Sequence, residues 1–286
     1  MLSGRSDCAP ELMVPSNSPY PMRSLRRLQI ALITLLAPIA LAHAAAPAVP
    51  PKENFHLFLL VGQSNMAGRG VVAESDKVPR PRVLMLDKSG AWVPAVDPMH
   101  FDKSAAGVGL GRSFADAIAA ATPGVTIGLI PCAVGGSPID AWTPGYYYQP
   151  TQSHPWDDAL RRAQLALPAG TLQGILWHQG ESDSNRELAP AYATKLQALI
   201  ARFRAELRAP TVPFIVGQLG RFAGAPWNEF KTQVDRAHRE LPAKIPHTAF
   251  VSAEGLTDKG DQTHFDSASC REFGRRYAAA YLKLTR

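Results

Sequence analysis

Hydrophobic and polar positions come in blocks along this chain rather than alternating residue by residue. Residues 55–61, Phe-His-Leu-Phe-Leu-Leu-Val, are almost wholly apolar. A run of that length without a polar face predicts a strand covered on both sides, as at the centre of a parallel sheet. Val125 to Pro131, Leu172 to Trp177, Phe214 to Val216 and Thr248 to Ser252 have the same character. Between these runs the spacing changes to that of helices, at about Leu110 to Ala121, Pro155 to Leu167, Ala189 to Leu207, Trp227 to Leu241 and Ser267 to Leu284. Tyr192, Leu196, Leu199, Ile200 and Phe203 share one face of the third helix, and Phe273, Tyr277, Ala280 and Tyr281 one face of the last. Strand followed by helix, repeated about five times, predicts a single α/β domain: a parallel sheet with helices on both faces, joined by right-handed crossovers.

Residues 68–106 break the alternation with glycine, proline and charge, and hold one short apolar piece, Val83 to Leu86. A connection this long predicts a functional loop region, with a small hairpin around Trp92. The start of the chain reads as an address. Residues 22–28 are positively charged, Ile30 to Leu41 is an apolar core, and residues 42–46 offer small residues for cleavage. Residues 1–46 are therefore expected to be an N-terminal extension and export signal, with Met22 as the true start. Residues 47–54 follow as a linker, and 55–286 as the folded domain. The apolar core is short for a bilayer span, so no stable membrane insertion is expected after cleavage near Ala44 or Ala46, and the product is periplasmic or secreted. An uncleaved anchor is the competing reading.

Composition narrows the possibilities. At 286 residues and 46% hydrophobic, the chain can bury a full core. The formal charge of +6 includes four arginines and two carboxylates from the leader; without the first 44 residues, 26 basic and 22 acidic side chains remain, with no basic run. Nucleic acid is accordingly not an expected partner. Beyond the leader the cysteines are Cys132, at a strand end, and Cys270, on a helical pattern, and both fit packing better than pairing. No C-x-x-C, H-E-x-x-H or dense acidic loop is present, so no metal or other cofactor is expected.

The candidate chemistry sits in four polar turns: Gly62-Gln63-Ser64-Asn65, Gly135-Gly136-Ser137, His178-Gln179-Gly180-Glu181 and Asp261-Gln262-Thr263-His264. Each follows a predicted strand, and the carboxyl ends of parallel strands share one rim, so the turns should converge. Ser64, delivered by a buried strand, is placed either as a nucleophile or as the cap of the next helix. His264 is the better candidate base, because Asp261 stands three residues before it and can hold the ring nitrogen facing away from the serine. His178 is the rival base and lacks such a carboxylate. Donors for a developing oxyanion are the N–H of Ser64, the N–H of Gly135 or Gly136, and the side-chain amide of Gln179. Gln63 and Asn65 flank the serine as possible supports. Glu181 reads as an anchor of its own turn, with orientation of His264 as its alternative. Asp140 and Asp183 read as structural residues or as contacts to substrate hydroxyls. Trp142, Tyr146, Tyr147 and Tyr148 suit either sugar rings or an aromatic-bound loop.

Those blocks, together with Pro131-Cys132-Ala133-Val134 before the glycines and Ile139-Asp140-Ala141-Trp142 after them, resemble the sialate O-acetylesterase-like branch of the SGNH (GDSL-like) hydrolases, which includes acetylxylan esterases. The resemblance spans nearly all of the chain after Lys52. It implies a flavodoxin-like three-layer α/β/α fold with a five-stranded parallel sheet, a nucleophile at Ser64, and an Asp-x-x-His pair at Asp261 and His264. Gln63 stands where the wider superfamily has aspartate, and Gln179 where it has asparagine; both are usual in this branch. The expected function is removal of O-acetyl groups from carbohydrate. The alternatives are a non-catalytic carbohydrate-binding protein on the same fold, or a lipase or thioesterase of the superfamily, the latter disfavoured by the lack of an extended apolar lid. Oligomeric state leaves no mark on the sequence.

Overall fold

The computed structural model describes residues 48–286. The leader and cleavage region expected within residues 1–46 lie outside the described residues. Strand β1 (Phe55–Gly62) leads into one turn of helix, α1 (Ser64–Ala67). Strands β2 (Val83–Leu86) and β3 (Trp92–Pro94) precede α2 (Gly111–Ala121) and β4 (Thr126–Pro131). Then come α3 (Pro155–Ala166), β5 (Thr171–His178), α4 (Ala189–Glu206), β6 (Phe214–Gly217), α5 (Glu229–Lys244), β7 (Thr248–Val251) and α6 (Ser267–Leu284).

The strands form one sheet in the order β3-β2-β4-β1-β5-β6-β7. All neighbours are parallel except β2 and β3. From β1 the chain moves out to β2 and β3 at the edge, comes back in to β4 beside β1, and then crosses β1 to β5. The order therefore reverses at β1, and the crevice beyond its carboxyl end is where a doubly wound sheet accepts a ligand.

The apolar run of β1 divides between two cores. Phe55, Leu57, Leu59 and Val61 pack in a layer with Trp156 of α3, Tyr192 and Phe203 of α4, and Leu241 of α5. Phe58 and Leu60 face the other way, toward Phe114 of α2 and Phe273, Tyr277 and Tyr281 of α6. Phe58 meets the Phe114 and Tyr281 rings edge-on, at centroid distances of 4.9 and 5.1 Å. Burial on both faces is why this strand shows no polar alternation. Cys132 and Cys270 are buried and free, one in each of these layers.

Five strands are expected from the sequence and the sheet has seven. The five expected strands are β1, β4, β5, β6 and β7. The additional pair is the hairpin around Trp92, whose β2 strand extends the sheet by pairing with β4. Strands of four and three residues between prolines and glycines are too short to show a period. Helix α5 starts two residues later than its pattern suggests because Asn228 caps it, accepting the Lys231 N–H at 2.7 Å, and it carries Pro242 in its last turn.

Gly62 ends β1 opposite His178 of β5, with a φ of +127°. A Cβ there would stand 2.1 Å from the His178 carbonyl oxygen. Both the backbone angle and the close approach demand glycine, two residues before Ser64. Gly62→Ala is expected to lose at least about 2 kcal/mol of unfolding free energy in urea titrations; a loss within about 0.5 kcal/mol would contradict this account of the β1–β5 junction.

Candidate active site

After Gly62, Gln63 remains extended and Ser64 opens α1. The Ser64 hydroxyl does not cap this helix; its Oγ lies 3.0 Å from Nε2 of His264, with the serine 7% exposed. His264 comes from the loop between β7 and α6. Asp266 ends that loop by capping α6, its carboxylate accepting the Ser269 N–H at 2.7 Å. The other face of the imidazole meets Asp261, with Nδ1 2.7 Å from Oδ2. The second oxygen of Asp261 accepts the backbone N–H groups of Thr263 and His264 at 3.0 and 2.8 Å, and the Lys259 ammonium stands 3.0 Å from the first. Partial burial works against the charge on Asp261, but the hydrogen bonds from His264, Lys259 and Thr263 outweigh it and hold the carboxyl well below the usual carboxylate range. An ionised carboxylate only accepts, so Nδ1 carries the imidazole proton and Nε2 faces Ser64 with a lone pair.

Asn65 fixes this meeting across nearly 200 residues of chain. Its Oδ1 accepts the Phe265 N–H at 3.1 Å and its Nδ2 donates to the Thr263 carbonyl at 3.0 Å, so the two bonds bracket His264. Nδ2 also donates to Glu181 Oε1 at 2.7 Å. Glu181 thus acts as an anchor through Asn65, and among the described residues it forms no hydrogen bond or ion pair with His264. His178, the rival base, is fully buried. Its Nε2 bonds the Gln218 carbonyl at 3.0 Å, its ring meets Phe265 and Phe273 edge-on, and burial lowers its pKa. Its Nδ1 stands 3.8 Å from Glu181 Oε1, so its ring nitrogens face Gln218 and Glu181 while Ser64 bonds His264.

The expected oxyanion donors separate into two groups. The Gly135 N–H is engaged, donating to Asp102 Oδ2 at 2.8 Å. The same oxygen pairs with Arg69 at 2.7 Å, and a Cβ on Gly135 would stand 2.3 Å from the guanidinium, so a larger residue there would push this ion pair aside. Gly136, with a φ of +82°, has no N–H partner among the described residues, and the Ser64 N–H, at the start of α1, has none within the helix. Gln179 is a correction to the sequence reading. It is 0% exposed, and its Nε2 donates to Ser137 O and Gln63 Oε1 at 3.1 and 3.2 Å and to Asp183 Oδ2, while its Oε1 accepts from Tyr192 at 3.0 Å. Both amide protons are directed at these internal acceptors, which leaves none for an oxyanion. Gln179 is a strut in a buried hub.

Gln63 belongs to the same hub, its Oε1 also accepting the N–H groups of Gly180 and Ser182 at 3.3 and 3.4 Å. The Ser182 hydroxyl then donates to the Gly136 carbonyl at 2.9 Å. The peptide next to Ser64 and the peptide of Gly136 are in this way tied through one turn. Arg69, Asp102, Ser182 and Lys259 are site-supporting residues that the motif reading missed. Ser182 lies inside a motif block, while Asp102 lies on the long loop, where no period marks it. The aromatic cluster also divides. Trp142 is core, its ring edge-on to Trp177 and its Nε1 donating to Ser137 Oγ at 3.0 Å, whereas Tyr146 and Tyr147 are exposed. Asp140 pairs with Lys195 at 2.7 Å.

Comparison with known proteins agrees with this architecture. A family model described as carbohydrate esterase, sialic acid-specific acetylesterase, matches residues 54–283. The chain is 31% identical over 256 residues to a probable carbohydrate esterase of Arabidopsis thaliana, At4g34215, covering 82% of this chain and 92% of that one. The solved structure of the Arabidopsis protein superposes with a TM-score of 0.71 at 30% identity, covering 82% of this chain and 99% of that one. A carbohydrate acetylesterase from Xanthomonas citri, XAC1771, superposes with a TM-score of 0.62 at 23% identity, covering 80% of this chain and 56% of that one, a likeness of fold.

The charge of Asp183 gives the hub a measurable signature. Burial raises its pKa to about 6, against hydrogen bonds from Gln179 and the Ile139 N–H. As pH rises from about 4 to about 6, the unfolded chain releases this proton while the folded chain keeps it, so the wild type loses stability on the order of 2–3 kcal/mol. Asp183→Asn lacks that loss. Its unfolding free energy relative to wild type is expected to climb between pH 4 and 6 and to level off above 7 in urea titrations; a difference independent of pH would show that Asp183 is ionised normally.

Proposed function

The chain belongs to the carbohydrate esterase family of sialic acid-specific acetylesterases, and on that footing we propose that it is an exported serine esterase removing O-acetyl groups from sugars with Ser64, His264 and Asp261. The observation that supports this reading most is the continuous hydrogen-bond chain from Ser64 Oγ through His264 to Asp261, at 3.0 and 2.7 Å.

In the first half-reaction Ser64 Oγ bonds to the acetyl carbonyl carbon as His264 Nε2 takes the hydroxyl proton. Asp261 stabilises the resulting imidazolium and keeps the ring oriented. The carbonyl oxygen becomes an anion between the N–H groups of Ser64 and Gly136. Donors aimed at that oxygen contribute typically about 2.7–4 kcal/mol each. The bond from carbon to the sugar oxygen then breaks, and the imidazolium gives its proton to the departing hydroxyl. In the second half-reaction His264 deprotonates water, which attacks the acetyl group on Ser64. The serine oxygen leaves and takes back the proton, releasing acetate. The side chains named carry every step.

The charged and apolar stretch of residues 22–46 supports export, which places the acetylated glycan outside the cytoplasm. Exposed Tyr146 and Tyr147, following the glycine turn, are rings of the kind that contact sugars. The test is acetate release from acetylated xylan and O-acetylated sialosides, alongside p-nitrophenyl acetate without added metal. Ser64→Ala is expected to lower kcat/KM on p-nitrophenyl acetate about 10³-fold or more, with an unchanged thermal midpoint. A folded Ser64→Ala variant that keeps most of the activity would rule out this nucleophile.

A further inference from the structure

A cavity of about 320 Å³ lies beside the glycine turn. Residues 131–134, running on from β4, form one side, and His100, Phe101 and Asp102 of the long loop form another; Arg161 and Arg162 of α3 also line it. Its size falls at the lower end of small-ligand pockets, roughly 300–1,000 Å³. The wall chemistry is specific. Asp102 gives one carboxylate oxygen to Arg69 and the Gly135 N–H, and its second oxygen, Oδ1, is buried with no partner among the described residues. His100 accepts the Ala133 N–H on Nδ1 at 3.3 Å, and its Nε2 is likewise buried and unpartnered. Burial pushes the His100 pKa down to about 4, so the ring is neutral near pH 7. With Nδ1 accepting, the proton sits on Nε2. One wall thus holds an unmet donor and an unmet acceptor, and leaving either unpaired is unfavourable. A hydroxyl group, which donates and accepts through one oxygen, answers both.

Phe101 completes the surface. Its side chain is 39% exposed, and the Arg162 guanidinium sits 4.7 Å from its ring centroid. Arg162 is itself fixed by the carbonyls of Pro131, Leu86 and Asp87, which makes the ring a held platform. Arg161, at the cavity's rim, is paired with Asp158 at 3.1 Å.

We propose that this cavity is a subsite for a pyranose ring of the substrate, with Phe101 under the ring's C–H face and His100 and Asp102 reading a hydroxyl. The inference rests on the esterase reading above. Because Asp102 also holds the peptide before Gly136, occupancy of the subsite and the shape of the oxyanion turn share one side chain.

The test compares Phe101→Ala and Phe101→Trp with wild type on p-nitrophenyl acetate, acetylated xylo-oligosaccharides and an O-acetylated sialoside. Phe101→Ala is expected to lower kcat/KM about five- to tenfold, mainly through KM, on whichever sugar is turned over, to leave p-nitrophenyl acetate within about twofold, and to be rescued by Phe101→Trp. Turnover of a sugar that Phe101→Ala leaves unchanged, or an equal fall on all substrates, overturns the subsite and leaves the esterase standing. Hydrolysis of p-nitrophenyl acetate with turnover of neither sugar overturns the carbohydrate reading and the subsite with it.

Discussion

The site depends on one side chain holding two distant segments in register. Asn65 follows the serine and grips the backbone on both sides of His264, at the Thr263 carbonyl and the Phe265 N–H. A hydroxyl and an imidazole brought together by folding alone would drift with every motion of the β7–α6 loop. Bracketing the histidine from the residue next to the serine makes the distance between them a local matter. Asp266 then stiffens the far end of the loop by starting α6, and Asp261 closes the near end on its own backbone. The low pKa of Asp261 has the same origin as its rigidity, since the donors that orient it also stabilise its charge.

Behind the serine, the fold places polar groups where apolar packing would be easier. Gln63, Gln179, Asp183 and Tyr192 are buried and joined to one another, and the hub reaches the glycine turn where Ser182 donates to the Gly136 carbonyl and Gln179 to the Ser137 carbonyl. Such networks stabilise only when their members are satisfied. Here one oxygen of Asp183 has no partner among the described residues, and burial raises its pKa. The hub does what an apolar core could not: it fixes the rotation of peptide planes. In the reaction we propose, the N–H groups of Ser64 and Gly136 hold a common oxygen, which requires that the turn carrying them stay in place.

The sheet and the meeting of Ser64, His264 and Asp261 were legible in the sequence because they follow from local patterns. A doubly buried strand has a recognisable composition, parallel strands put their ends on one rim, and a carboxylate three residues before a histidine can reach its ring. What escaped was set by contacts between segments without a pattern of their own. The amide of Gln179 is turned inward by acceptors from three separate segments. Gly135 is withdrawn from the site by Asp102, 33 residues earlier on an aperiodic loop. Nothing in the motif itself distinguishes the two glycines. The β2–β3 hairpin was visible only as an apolar fragment, since four residues cannot declare which edge they will join.

The central claim is that Ser64 is made nucleophilic by His264. Intact-mass analysis and peptide mapping after treatment with diethyl p-nitrophenyl phosphate test it most directly. The account predicts one diethylphosphoryl group, located on Ser64, forming far more slowly in a folded His264→Ala variant. Labelling of another serine such as Ser137 or Ser182 with Ser64 unmodified, or equal rates with and without the imidazole, would contradict it.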